Sequence, residues 1–190
     1  MRLIPISLVI TRLILGLVLF ADALDGETSV WFAVGLTIGL FTDIIDGIIA
    51  RRVGAASQRL RELDSHADVF FMACITISAW LAHRDVIIIL STPILIMLIV
   101  YAASIAMPWI IFRRLPAYHA YSAKLAGLVL FLAALDLFAN DHGGLLLWIA
   151  ILAALISHLE RIAITLLLPA WKSDVPGVWD AWKIRQEYLQ

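Results

Sequence analysis

Six runs of about twenty apolar residues follow one another along this chain, parted only by short polar stretches. A bilayer core needs roughly 20 such residues per helix. Inside it every backbone polar group must be satisfied by the helix itself. The runs lie near residues 4–24, 29–50, 65–83, 86–112, 121–139 and 144–168. The breaks are Asp25-Gly26-Glu27-Thr28, the stretch 51–64, His83-Arg84-Asp85, 113–120 and Asn140-Asp141-His142-Gly143. Of the 190 residues 63% are hydrophobic, where an ordinary soluble domain has about 45–50%. The expected architecture is therefore an all-α membrane protein: six transmembrane helices in one domain, 1–170, followed by a polar tail, 171–190. Trp179, Trp182 and Tyr188 in that tail suit a short interfacial helix whose aromatics rest among headgroups.

Basic residues set the orientation. With six spans, the two termini and the second and fourth breaks share one side. That side holds 13 of the 14 Lys and Arg residues, and the other has only Arg84. The positive-inside rule puts the crowded side, with both termini, in the cytoplasm. The first apolar run begins almost at Met1 and is long enough to span, and Ala21-Asp22-Ala23 is a poor cleavage site, so no cleavable signal peptide is expected. The single Cys74 excludes an intrachain disulfide and reads as a small core residue.

Against this oil stand four aspartates, Asp43, Asp46, Asp64 and Asp68, all within 26 residues on the cytoplasmic side. A carboxylate near membrane depth is costly unless it faces a partner or a wet cavity. Four close together repel one another unless cations lie between them. On helices, Asp43, Asp46, Gly47 and Ala50 share one face, with Arg51 beside it, and Asp64 and Asp68 share another. Two such faces can clamp hard cations; Mg²⁺ or Mn²⁺ prefers oxygen ligands and shares its shell with substrate phosphates. Gly47 and Ala50 leave room for a ligand, and Arg51 offers a fork suited to phosphate. The plainer alternative is a set of helix-end carboxylates paired with Arg51, Arg52, Arg59 and Arg61.

The spacing resembles a known signature. Asp43-x2-Asp46-Gly47-x2-Ala50-Arg51, eight residues, Leu60, three residues, Asp64, three residues, Asp68 is similar to the D-x2-D-G-x2-A-R-x8-G-x3-D-x3-D motif of the CDP-alcohol phosphatidyltransferases. Leu60 alone departs, standing where the family has glycine. Leucine disfavours positive φ and adds bulk, which suggests a subgroup with a different surface beside the donor. Pro5 and Arg12 also match the family's first helix, often P-N-x-x-T-x-x-R, although Ile6 and Val9 replace the Asn and Thr.

The resemblance implies transfer of a phosphatidyl-type group from a CDP-linked lipid, such as CDP-diacylglycerol, to a small alcohol, with release of CMP. By motif position Asp43, Asp46 and Asp64 would bind Mg²⁺ or Mn²⁺. Asp68 would be the general base and a further metal contact. Gly47, Ala50 and Arg51 would face the CDP group, with Ser57 as a further donor to the nucleotide. It also implies a homodimer, which the topology puts in the cell's inner membrane with its active site facing the cytoplasm. No nucleic-acid partner is expected.

An acceptor's phosphate could meet Arg114, His119, Lys124 or Arg161, although Arg113 and Arg114 better suit anchoring to anionic headgroups. Glu160 and Arg161 are neighbours in sequence and point about 100° apart on a helix, so each needs another partner. Arg12 reads either as a phosphate contact or as half of an ion pair. Two other functions stay open: a membrane prenyltransferase using Mg²⁺-diphosphate, for which the chain is short, and a divalent-cation carrier, for which midplane carboxylates would be expected.

Overall fold

The computed structural model describes residues 3–53, 58–118, 120–140 and 144–189. Among them there is no strand, and eight helices occur in order: α1 (Leu3–Asp22), α2 (Val30–Val53), α3 (Gln58–Ala82), α4 (Arg84–Ile89), α5 (Ser91–Phe112), α6 (Tyr121–Asn140), α7 (Leu145–Leu167) and α8 (Val178–Leu189). Among the described residues α5, α6 and α7 are long and apolar enough to cross a membrane, and Val30–Thr42 and His66–Ala82 are shorter apolar stretches. The chain falls into two compact units. One is Met1–Ile88 with Leu137–His142, and the other is Ile89–Asp136 with Gly143–Gln190.

Two boundaries differ from the apolar runs. The run 86–112 is broken at Leu90 into α4 and α5. Pro93 explains it: its ring lacks the N–H that would reach back to Ile89 and crowds that residue's carbonyl. The helix restarts with the Ile94 N–H donating to the Leu90 carbonyl at 3.0 Å. α3 begins at Gln58, seven residues before the apolar run does. Its first turns are polar, so hydropathy alone passes over them although nothing in them opposes a helix.

In the first unit α1 and α2 form a tight hairpin. Gly26 takes φ +87°, a conformation glycine adopts freely. The Asp22 carboxylate then accepts from the Ser29 N–H at 2.9 Å and its hydroxyl at 3.1 Å, closing the entry to α2. Gly35 on α2 lies against Leu19 on α1, and Gly16 on α1 lies against Phe71 and Cys74 on α3. The tightest approach is at Gly39, where a Cβ would stand 2.4 Å from the tip of the buried Phe71 ring.

That approach generates a prediction. Gly39→Ala gains helix propensity of up to about 1 kcal/mol but forces overpacking that typically costs about 1–3 kcal/mol. The Gly39→Ala protein should melt at lower temperature in detergent than the wild type. Gly127→Ala, where a Cβ meets nothing within 4 Å, should melt no lower. Equal midpoints for Gly39→Ala and wild type would mean that α2 and α3 are not in close contact there.

Candidate active site

The hairpin makes α2 antiparallel to α1. α1 in turn runs parallel to α3, because Arg12 meets Asp68 and, further along both helices, Gly16 meets Phe71 and Cys74. α2 and α3 are therefore antiparallel, and Gly39 of α2 meets the tip of the Phe71 ring of α3. At 1.5 Å rise per residue, position 43 lies about 6 Å beyond the contact on α2 and position 68 about 4.5 Å back along α3. Position 46 on α2 and position 64 on α3 each lie about 10.5 Å from it by the same rise. By this rise positions 43 and 46 lie beyond that contact on α2 and positions 64 and 68 before it on α3, which is the same side of it. Thr42, just before Asp43, is buried and donates to the Gly39 carbonyl at 2.7 Å.

Asp68 is the acidic residue of this set whose side chain is described. Its Oδ1 accepts from Nη1 of Arg12. The arrangement is lopsided: the Arg12 side chain is 2% exposed and that of Asp68 is 40% exposed. The guanidinium is the fixed, desolvated end, and the carboxylate stands at an edge open to solvent. Of the two readings weighed for Arg12, the ion pair is the one found, and its partner is the candidate base itself. The side chains at 43, 46, 47, 50, 51 and 64 lie outside the described residues, as do Ser57 and His119 entirely. Among the described residues no three His, Cys, Asp or Glu side chains come together. Leu60 lies on helical backbone within α3, so leucine at that position carries no conformational cost.

The donor chemistry suits a hard cation. Carboxylate oxygens are the ligands that Mg²⁺ and Mn²⁺ favour.

The second unit holds a cavity of about 240 Å³ lined by Pro116, Ala117, Tyr118, Ala120, Ala123, Ser157, Arg161 and Ile164. Drug-sized ligands need roughly 300–1,000 Å³, so this space suits a small polar molecule better than a nucleotide. Arg161 is partly buried and donates to the buried Ser104 hydroxyl at 3.3 Å. Among the described residues it has no ion-pair partner. A guanidinium on a helix apolar enough to span a membrane, without a carboxylate partner, is a candidate for holding an anion. Thr165 donates to the Arg161 carbonyl at 2.8 Å, so the Tyr118 hydroxyl, 3.1 Å from Thr165 Oγ1, is the donor in that contact. Burial pushes the Tyr118 phenol above its ordinary value, partly offset by the Thr165 contact and the Arg161 charge. It therefore stays protonated at neutral pH and does not compete with an anion for Arg161.

The other acceptor candidates sit elsewhere. Lys124 is exposed, its Nζ 5.3 Å from the centre of the Tyr121 ring. Arg114 is exposed and lies over Trp171 at 4.9 Å, and Arg113 lies over Trp109 at 5.1 Å. Tyr118 and Ser157, which sequence reasoning passed over, line the cavity. Ser157 stands one helical turn before Arg161, a spacing that could have drawn attention to it.

Comparison with curated proteins and with solved structures returns no match. The family model for CDP-alcohol phosphatidyltransferase, in contrast, matches residues 2–156. That span takes in Arg12, all four aspartates and the α2–α3 pair that carries them. The chain belongs to the CDP-alcohol phosphatidyltransferase family.

Proposed function

We propose that this enzyme transfers a phosphatidyl-type group from a CDP-linked lipid such as CDP-diacylglycerol to a small alcohol, releasing CMP, as a step in phospholipid biosynthesis. Family membership supports the reaction class and favours it over a prenyltransferase or a cation carrier. The observation that carries the mechanistic reading is the carboxylate of Asp68, gripped by a buried arginine.

In this reading the acceptor hydroxyl gives its proton to Asp68, and its oxygen attacks the lipid-side phosphorus of the diphosphate. The bond from that phosphorus to the bridging oxygen breaks, and the bridging oxygen leaves with CMP. Arg12 fixes where the Asp68 carboxylate stands, so its second role is to position the base. Gly47 and Ala50 leave space for the CDP group, Arg51 faces its phosphates, and Ser57 adds a donor. Asp43, Asp46 and Asp64, with Asp68, would hold Mg²⁺ or Mn²⁺. When bound, such an ion neutralises diphosphate charge and stabilises the departing phosphate. The cavity beside Arg161 would take the acceptor, with an acceptor phosphate on the guanidinium. In this reading the enzyme is a homodimer of the inner membrane with six spans, both termini and its active site facing the cytoplasm.

The direct test is CMP release from CDP-diacylglycerol with Mg²⁺ or Mn²⁺, run against a panel of small alcohols and alcohol phosphates. A general base contributes about 10²–10⁴-fold. Asp68→Asn should lower turnover by that order while CDP-lipid still binds in the presence of Mg²⁺; full activity would remove Asp68 from the mechanism.

A charge-assisted hydrogen bond is worth about 1.5–3 kcal/mol, which is about 10–150-fold in an equilibrium constant. Arg161→Gln should raise the KM of a phosphorylated acceptor within that range and leave the KM of the CDP-lipid unchanged. An unchanged acceptor KM would move the acceptor's phosphate elsewhere.

A further inference from the structure

The loop that walls the acceptor cavity is held in place by the C-terminal segment. Five of the eight lining residues, Pro116, Ala117, Tyr118, Ala120 and Ala123, come from the connection between α5 and α6 and the first turn of α6. An irregular loop at the mouth of a membrane protein has no ladder of its own to keep its shape. Here the chain beyond α7 supplies one. Trp171 Nε1 donates to the Leu115 carbonyl at 3.1 Å. The Asp174 N–H donates to the Ala117 carbonyl at 2.9 Å. The Tyr121 N–H donates to the Pro176 carbonyl at 3.1 Å.

These three bonds run in step along the two strands of chain, so the segment 171–176 follows the loop from its start to the beginning of α6. Asp174 makes the turn by taking φ 57°, a conformation that Asp tolerates better than most residues. Between the hydrogen bonds Val175, 1% exposed, is buried in a cluster with Tyr118, Ala120, Ile164, Leu168 and Ala181.

Glu160 locks the arrangement from the other side. Its Oε2 accepts from the Ser122 hydroxyl at the start of α6. Its Oε1 accepts from the Val178 N–H at 3.4 Å, the first residue of α8, where an anion also meets the favourable end of the helix dipole. One carboxylate thus ties the entrances of α6 and α8 to α7, one residue from the arginine that lines the cavity. Glu160, Trp171 and the whole tail lie beyond residue 156, where the family match ends.

We infer that residues 171–178, clasped by Glu160, act as a positioning bracket that gives the acceptor cavity its shape and so sets how tightly an anionic acceptor binds. The inference rests on reading that cavity as the acceptor site. Glu160 and Trp171 are positioning residues: they act on the ligand through the loop 113–121 and through the setting of Arg161.

The test uses the full chain in detergent micelles, as wild type, Glu160→Ala and Trp171→Ala, with thermal melting to confirm that each variant is folded. Two variants are needed because either one alone could fail to fold. Backbone hydrogen exchange is read over 113–123 and 157–164, with and without inorganic phosphate as the probe.

In the wild type, phosphate should slow exchange in both regions. In the variants, exchange over 113–121 should speed up without phosphate. The phosphate concentration giving half protection should rise about tenfold, the scale of one lost hydrogen bond near a charge. Unchanged exchange over 113–121 in a folded variant overturns the bracket, and so does faster exchange with unaltered phosphate affinity. A wild type that phosphate does not protect overturns the acceptor reading instead, and the two failures are thereby told apart.

Discussion

A guanidinium buried inside packed apolar helices must be met by an anion, and in the first unit that requirement joins α1 to α3 through Arg12 and Asp68. Replacing such a pair with well-packed hydrophobic side chains is often neutral or stabilising, whereas removing one partner costs about 3–5 kcal/mol. The pair is therefore better understood as a register pin than as a source of stability. It sets α1 and α3 parallel and level at this point. The glycine contacts at 35 and 39 bring α2 against the same two helices. Positions 43 and 46 then fall on the same side of the Gly39–Phe71 contact as positions 64 and 68. The acidic motif is spread over 26 residues of sequence, and this packing folds it back on itself.

The second unit answers the same electrostatic problem differently. Glu160 and Arg161 are adjacent on a membrane-spanning helix and do not pair with each other. Glu160 is satisfied by a hydroxyl and a helix N-terminus, both neutral. Arg161 touches Ser104 and lines a cavity whose other walls are mostly apolar. Because the carboxylate is spent on holding the scaffold, the guanidinium keeps its charge available to a ligand.

Much of the helical organisation was legible in hydropathy: α1, α2, α6 and α7 fall within a few residues of the apolar runs. The break at Leu90 was less visible, because an apolarity count does not register that Pro93 removes a backbone donor. The polar first turns of α3 were invisible for the opposite reason, since a helix can continue past the apolar layer. At the site, the aspartate spacing was readable from charge and period, and its resemblance to a known motif pointed to the family. The Arg12–Asp68 pairing was not, because the partners are 56 positions apart and several acids were available to Arg12. The partners of Glu160 were equally hidden, as neither carries a charge. Nothing in the polar tail announced that Val175 would be buried against Tyr118, which a single apolar residue between Asp174 and Pro176 does not signal.

The central claim is that the acidic pairs of α2 and α3 jointly hold a divalent cation against the donor's phosphates. Electron paramagnetic resonance of Mn²⁺ added to the full chain with CDP-diacylglycerol tests it most directly. The account predicts stoichiometric Mn²⁺ binding with a resolved coupling to phosphorus-31, abolished when Asp46 and Asp64 are both changed to Asn. Binding that lacks any phosphorus coupling, or that survives unchanged in the Asp46→Asn, Asp64→Asn double variant, would contradict it.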